Sequence, residues 1–198
     1  MRESKTTVFI ATSLDGFIAR EDGGIDWLNE IPDAPGEDYG YAVFMGTVDA
    51  MVLGRKTYEF ARSLPAWPYG KTPVIVLSSK RVDIPKHLAK TVTSMSGKPD
   101  VIVNALAQRE LHHLYVDGGV TIQRFINAGA IKRLIITRIP VLIGTGIPLF
   151  GKLDRGDVRL KHVGTRTYPN GLVQSEYEVA GKRRSTKRTR ASRALKKS

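Results

Sequence analysis

One nine-residue segment combines the residue types that bind phosphate. Residues 51–59 read MVLGRKTYE: the apolar first half is typical of a buried strand, and the glycine precedes two cations and a hydroxyl where a helix would begin. Free backbone N–H groups and the positive end of a helix dipole favour an anion there, and a guanidinium can add two parallel hydrogen bonds. We therefore predict that a phosphate is bound by Gly54, Arg55, Lys56 and Thr57.

A second segment repeats this arrangement. Residues 114–121, LYVDGGVT, again run from an apolar strand through a glycine pair towards a helix. Because glycine has no side chain to hold a phosphate away, the backbone can approach the phosphate closely. Two such sites on one sheet suit a dinucleotide with well-separated phosphates. Neither segment contains the G-x-G-x-x-G fingerprint, and G-x-x-x-x-G-K-[ST] occurs nowhere in the chain, so the cofactor hypothesis requires another architecture.

Composition indicates one folded domain with a basic extension. The chain has 198 residues, 41% of them hydrophobic, which is enough for one sizeable core. Its formal net charge is +12, but nine Lys and Arg residues, and no acid, lie in residues 182–198, so that residues 1–181 carry only +3. We expect a single domain over 1–181 and a disordered tail over 182–198, which could bind nucleic acid weakly and without sequence preference.

Residue types that are missing or scattered exclude several functions. The chain has no cysteine, which rules out disulfides, thiolate nucleophiles and zinc–thiolate sites. Its four histidines lie without carboxylates at metal-ligand spacing, so we expect no metal site. No uncharged apolar run reaches the length of about 18 residues that suggests a membrane span, and no signal-type segment is recognised. We expect a cytoplasmic protein without a membrane partner.

The order of apolar and amphipathic segments predicts an α/β fold. Strands are predicted over residues 6–12, 49–53, 73–77, 91–94, 111–116 and 132–139, and helices over 37–46, 55–62, 99–109 and 121–128. For 99–109 a strand competes with the helix, because the segment opens with the β-branched run 101–103. Residues 158–167 and 172–179 flank Pro169-Asn170-Gly171, a strong hairpin signal. We expect a mixed, mainly parallel sheet with helices on both faces and a C-terminal antiparallel hairpin.

In this order and at this spacing, the segments resemble the dihydrofolate reductase fold. The resemblance is strongest to the dihydrofolate-reductase-like reductases related to the reductase domain of the bifunctional riboflavin-biosynthesis deaminase/reductase, and it extends from about Thr6 to Ala180. Five segments carry it: SLDGFIA at 13–19, VLGRKTYE at 52–59, VLSSK at 76–80, DGG at 117–119 and IPVLIGTGIPLF at 139–150.

The resemblance implies that the cofactor is NADPH. Residues 54–57 match the family's segment at the cofactor phosphates, and the adenosine 2′-phosphate would meet Ser78, Ser79 and Lys80. The segment facing the pyrophosphate would comprise Gly118, Gly119, Val120 and Thr121. Cations and hydroxyls discriminate an extra dianionic phosphate, so NADPH should be preferred over NADH. The alternative is that Gly118 and Gly119 form only a tight turn and that Arg55 and Lys56 are merely solvated.

For catalysis the resemblance offers two aspartates. Asp38 lies sixteen residues before Gly54, where dihydrofolate reductases place the carboxylate that holds the pterin ring, and Thr137 matches a threonine that supports this carboxylate by a hydrogen bond. Such a carboxylate can orient an N–H donor and help to supply a proton beside the hydride acceptor. Asp38 could equally cap a helix. Asp15, in the turn that riboflavin-pathway reductases share beside nicotinamide and substrate, is the rival, and it could be only a turn residue.

Two positions depart from true dihydrofolate reductases. Thr72 stands where those enzymes carry an arginine for the glutamate tail of folate, and Ala42 stands where a larger aromatic residue lines the pterin pocket. The expected function is therefore an NADPH-dependent reductase acting on a small nitrogen heterocycle, either a pterin or a ribosylaminopyrimidine of the riboflavin type. The alternatives are a family member that binds a nucleotide without turnover, or a nucleic-acid-binding protein acting through its basic tail.

Two apolar runs predict self-association. Residues 139–143 and 147–150 flank Gly144-Thr145-Gly146 with more apolar surface than a late connection should expose. Relatives of the riboflavin-pathway reductase generally dimerise, so the resemblance also implies a homodimer. Burial of both runs beneath the final hairpin is the alternative.

Overall fold

Strands and helices alternate along the chain in the computed structural model, which describes residues 3–32, 36–154 and 156–180. The strands are β1 (Lys5–Ser13), β2 (Phe17–Ala19), β3 (Ala50–Gly54), β4 (Val74–Leu77), β5 (Val92–Met95), β6 (His113–Asp117), β7 (Arg133–Ile139), β8 (Ile147–Pro148), β9 (Leu160–Thr167) and β10 (Val173–Val179). The helices are α1 (Asp26–Asn29), α2 (Tyr41–Met45), α3 (Arg55–Ser63), α4 (Pro99–Ala107) and α5 (Gly119–Asn127). The predicted tail over 182–198 and its boundary lie outside the described residues.

One eight-stranded sheet forms the centre of the fold. Its order is β5-β4-β3-β6-β1-β7-β10-β9, and all pairs from β5 to β7 are parallel. The last two strands form an antiparallel hairpin that pairs with β7 through β10. The short strands β2 and β8 pair separately. Because parallel strands end at the same edge of a sheet, the loops after β4, β3, β6, β1 and β7 all meet at that edge.

Two layers of core cover the two faces of the sheet. On one face, α4 and α5 contribute Ile102, Leu106, Ile122 and Phe125, which pack against buried aliphatic residues of the central strands. On the other face, Tyr58 of α3 and Phe44 of α2 pack against residues that include Met51 and Leu53. The buried parallel strands are apolar on both faces, as parallel sheets require.

The structure settles the open alternative for residues 99–109 and shortens the helix predicted over 37–46. The segment 99–109 forms a helix over Pro99–Ala107, because Ile102 and Leu106 occupy one buried face while Val101 stays exposed. The helix predicted over 37–46 begins only at Tyr41. Tyr39 and Gly40 have φ values of +57° and +79°, which no α-helix allows, so the chain turns before the helix can start.

The late apolar runs are only partly buried. Ile139 and Leu149 are 1% exposed and belong to the core, whereas Leu142 and Phe150 are 69% and 50% exposed. Burial in the core therefore accounts for some of these side chains and leaves others on the surface.

Candidate active site

The two predicted phosphate-binding segments lie side by side. Strands β3 and β6 are neighbours, with Leu53 opposite Asp117, so Gly54 and Gly118 follow at adjacent strand ends. On the other side of β3, Gly54 lies opposite Leu77, which places Ser78 next along that edge. The residues at and just after the ends of β4, β3 and β6 thus form one continuous strip along the sheet edge. The two predicted phosphate-binding segments are adjacent in this strip, whereas two separate phosphate sites would lie further apart.

Both helices that leave this strip begin without a side-chain cap. Gly54 and Gly118 are the N-cap residues of α3 and α5, and neither start has a side-chain hydrogen bond to its first-turn amides. Arg55 and Lys56 are exposed beside them, and Arg55 Nε lies 3.7 Å from Glu59 Oε1. An anion at this strip would meet two sets of helix N–H groups and two cations.

Close backbone packing explains the glycines. Gly118 has φ +96°, and a β-carbon there would overlap Oγ1 of Thr57. A β-carbon on Gly54 would lie 2.6 Å from Oγ1 of Thr121. The threonine of each helix start therefore sits over the glycine of the other, which locks the two segments together.

The residues expected at the 2′-phosphate form a local turn. Ser78 Oγ donates to the carbonyl of Lys80 at 2.8 Å and accepts from the Lys80 amide at 3.0 Å. Ser79 and Lys80 are exposed. This turn leaves the Ser79 hydroxyl and the Lys80 ammonium at the surface next to the strip.

Asp15 joins two loops above the strip. Its carboxylate accepts from Ser13 Oγ at 2.5 Å, from the Gly144 amide at 2.8 Å and from the Ile143 amide at 3.4 Å. The serine hydroxyl, with help from these amides, lowers the pKa of Asp15. The joined loops lead into β2 and β8, so Asp15 has a clear structural role and is a poor proton donor.

The strands β2 and β8 in turn cover Gly119. A β-carbon on Gly119 would lie 3.0 Å from Cδ1 of Ile18 and 3.1 Å from Cγ2 of Ile147. The start of α5 is therefore held against the β2–β8 pair on one side and against Thr57 on the other.

A cleft of about 400 Å³ opens beside β1 and β7. Asp38 and Thr137, which the resemblance assigned to the substrate, both line it. The lining residues are Phe9, Ala11, Leu28, Asn29, Ile31, Pro32, Asp38, Tyr39, Tyr41, Thr137, Ile139, Asn170 and Leu172. Its size suits a one- or two-ring heterocycle.

The hydrogen bonds of Asp38 and Thr137 correct one expectation. Asp38 is exposed, and its carboxylate accepts from the Gly40 amide at 2.9 Å and the Ala42 amide at 2.8 Å, which lowers its pKa. Thr137 Oγ1 instead accepts from Gln174 Nε2 at 3.0 Å. Thr137 therefore does not support Asp38 through a direct hydrogen bond. The Asp38 carboxylate instead accepts hydrogen bonds from the backbone amides at the start of α2.

Asp117 is the site residue that the sequence did not single out. It is half-buried at the end of β6, and its Oδ1 accepts from the Gly118 amide at 2.7 Å. Burial raises its pKa to about 6, against that hydrogen bond. Burial and the charge of Asp117 together raise the pKa of Tyr41, which lines the cleft. An acid directly before a glycine pair, at the end of an apolar strand, was the available signal.

The part of the chain that the structure describes contains neither a metal-binding cluster nor a membrane-spanning helix. Within it, no group of three or more His, Cys, Asp or Glu residues could hold a metal ion. None of the helices formed by those residues is long and apolar enough to cross a membrane.

The chain belongs to the RibD C-terminal domain family, whose family model matches residues 4–174. It is 39% identical over 179 residues to the uncharacterized protein YwjB of Bacillus subtilis (strain 168), with 88% of this chain and 98% of that protein covered. It is also similar to a solved structure from Shewanella sp. PV-4 that is assigned to riboflavin biosynthesis. The TM-score is 0.84 and the identity 37%, over 89% of this chain and 99% of the other.

More distant structures show the fold. The deaminase and 5-amino-6-(5-phosphoribosylamino)uracil reductase of Thermotoga maritima gives a TM-score of 0.69 at 12% identity, over 90% of this chain and 57% of that one. Dihydrofolate reductase of Enterococcus faecalis, complexed with NADP(H), gives 0.60 at 19% identity, over 89% and 97%. The predicted resemblance and the α/β, dihydrofolate-reductase-like fold class are confirmed.

Proposed function

We propose that this protein is an NADPH-dependent reductase that transfers a hydride to a small nitrogen heterocycle. One observation carries the proposal: two adjoining, uncapped helix starts lie at the same sheet edge as a cleft of heterocycle size. Family membership supports it, because relatives with this fold include a uracil reductase and a dihydrofolate reductase complexed with NADP(H).

The residues present at the strip suit a dinucleotide phosphate. Backbone amides at Gly54 and Gly118 would hold the pyrophosphate. The exposed side chains of Arg55 and Lys56, together with Ser79 and Lys80, would lie around the 2′-phosphate. The full proposed set is Gly54, Arg55, Lys56, Thr57, Ser78, Ser79, Lys80, Gly118, Gly119, Val120 and Thr121. Bound NADPH supplies the hydride.

The proton is best supplied by Asp117. A carboxyl with a pKa of about 6 keeps part of its protons near neutral pH, whereas the lowered pKa values of Asp15 and Asp38 leave those groups ionised. Asp117 also contacts Gly118 of the strip, and its charge contributes to the raised pKa of Tyr41 on the cleft wall. Asp38 would then bind and orient an N–H group of the substrate, with Thr137 beside it.

Replacing Arg55 with alanine should weaken NADPH binding. Loss of a charge-assisted hydrogen bond to phosphate costs about 1.5–3 kcal/mol, or roughly 10- to 100-fold in the dissociation constant. Arg55 keeps its fork free for this contact, because its exposed pair with Glu59 is long and weak. Isothermal titration with NADPH and with NADH measures the effect, which should be small for NADH.

The matched control is Arg109→Ala, which removes another exposed arginine, one that lies between α4 and β6 and away from the Ser78 turn. It should change neither affinity by more than about twofold. Equal affinities of the unaltered protein for NADPH and NADH would remove the cofactor assignment. Tight NADPH binding without oxidation across pterins and aminopyrimidines would instead favour a non-catalytic nucleotide-binding protein.

We also propose a homodimer that covers the exposed apolar residues around 139–150. Leu142 and Phe150 are the large apolar side chains left on the surface there. The double substitution Leu142→Glu and Phe150→Glu should convert the dimer to a monomer, because it places charges in the interface. Multi-angle light scattering at micromolar concentration checks the mass, and a monomer before substitution would contradict the proposal.

A further inference from the structure

The charge around the cleft is negative or neutral. Among the described lining residues, Asp38 is the one that carries a formal charge; the others are apolar or neutral hydrogen-bonding groups. Amides at Gly40 and Ala42 keep its carboxylate ionised. Asp117 lies close enough to influence Tyr41 on the cleft wall. A phosphate or carboxylate on the substrate would therefore meet repulsion rather than a counter-ion.

No arginine is among the described residues that line the cleft. Arg166 lies on this face, where it interacts with Tyr168, and Tyr168 packs against the lining residue Tyr39. Arg166 on β9 and Thr137 on β7 both lie opposite Gln174 of β10, so they are two strands apart, about 10 Å. Arg133, four residues before Thr137, is paired with Glu176 at 2.7 Å.

The polar groups that do line the cleft match the edge of an uncharged heterocycle. Thr137 accepts a hydrogen bond from Gln174, and within the described residues its own hydroxyl proton has no acceptor. The Asp38 carboxylate is an acceptor at the same cleft. A donor and an acceptor that line the same cleft can pair with a ring carbonyl or ring nitrogen and with an amino or ring N–H group.

We propose that the cleft selects a nitrogen heterocycle, or its neutral riboside, that carries no phosphate or carboxylate. This inference rests on the proposed reductase function and specifies its substrate class. It separates this chain from a reductase whose substrate is the 5-phosphoribosylamino form, which the Thermotoga maritima structure names. The chemistry that must supply the substrate then includes a dephosphorylation, or a route that never attaches a phosphate.

Two matched ligand pairs test the selectivity. The first is 5-amino-6-ribosylaminouracil and its 5′-phosphate, and the second is 6-methyl-7,8-dihydropterin and 7,8-dihydrofolate. Isothermal titration of the full chain, with and without NADPH, should show at least one uncharged member binding at least tenfold more tightly than its anionic partner. Raising the salt concentration should reduce this difference in affinity, because salt screens the repulsion between the anionic ligand and the cleft.

Asp38→Asn separates electrostatic selection from simple shape. Removing the charge should reduce the ratio of the two dissociation constants within a pair at least threefold. The control Glu30→Gln changes an exposed acid outside the cleft lining and should leave this ratio unchanged. Tighter or equal binding of the phosphorylated or glutamylated member overturns the inference, as does failure of all four ligands to bind at millimolar concentration. Selective binding without loss of NADPH absorbance would sink the reductase proposal and leave the selectivity standing.

Discussion

Replacing Asp117 with asparagine should lower reductase turnover by about 100-fold or more and should make the protein more stable at pH 7. A positioned general acid contributes roughly 10²- to 10⁴-fold to a rate. Asparagine keeps an acceptor for the Gly118 amide but cannot donate a proton to the substrate. In the unaltered protein, turnover should fall as pH rises through about 6, because the protonated carboxyl is the donor. The variant should lose this dependence.

Asp117→Asn should lower activity but raise the free energy of unfolding at pH 7. Burial raises the pKa of Asp117 above its unfolded value of about 3.9, to about 6, so the folded protein holds a proton that the unfolded chain has released. The free energy of unfolding should therefore decrease as pH rises from about 4 to 6. Asparagine avoids this loss and should add about 1–3 kcal/mol at pH 7.

Urea unfolding at pH 4, 6 and 7 measures the stability, and pre-steady-state NADPH oxidation measures the chemical step. The control Asp100→Asn changes an exposed acid in the first turn of α4, where only a small helix-dipole effect is expected. A variant that keeps full turnover would show that Asp117 is not the proton donor. If Asp117→Asn is less stable than the unaltered protein at pH 7, the charge of the Asp117 carboxylate is compensated in the folded protein.

Among single methyl groups added to the strip, the one introduced by Gly118→Ala should reduce stability and NADPH affinity the most. The positive φ costs about 1–2 kcal/mol for a residue with a β-carbon, and overlap with the Thr57 hydroxyl adds about 1–3 kcal/mol. We expect a total loss of about 2–5 kcal/mol in the free energy of unfolding. NADPH affinity should fall at least tenfold, because the starts of α3 and α5 are forced apart.

Gly129 provides a matched control for this substitution. It also has a positive φ, +68°, but a β-carbon there would meet nothing within 4 Å. Gly129→Ala should therefore cost only the positive-φ penalty of about 1–2 kcal/mol and leave NADPH affinity intact. Adding Thr57→Ala to Gly118→Ala should restore part of the stability, since it removes the overlapping hydroxyl. Equal losses from the two glycine substitutions would show that strain alone, and not the contact between the two helix starts, is responsible.

Much of the architecture was predictable because local patterns and the fold agree. Strand β3 and helix α3 follow directly from the apolar run that ends at Gly54, and the hairpin follows from Pro169-Asn170-Gly171. The edge that gathers the site also follows, since parallel strands place their ends together. These features depend on residues close in sequence or on general rules of sheet topology.

The missed features depend on contacts between distant segments. The raised pKa of Asp117 requires burial by residues from other parts of the chain, which no local pattern reports. The bond between Gln174 and Thr137 requires the register of β10 on β7. The late start of α2 reflects the left-handed backbone at Tyr39, a non-glycine residue that rarely adopts it. The proposal that Asp117 donates the proton therefore needed the three-dimensional structure.

The place of β1 in the sheet has a consequence for biosynthesis. This first strand pairs with β6 and β7, with Lys5 opposite His113 and Thr7 opposite Arg133, so both partners are made long after it. At roughly 5–20 residues per second, the nascent strand waits on the order of ten seconds for its neighbours. Its apolar stretch Val8-Phe9-Ile10 has no strand to pair with in that interval. Yield in cells should therefore depend on chaperones that shield emerging chains more than the stability of the finished protein would suggest.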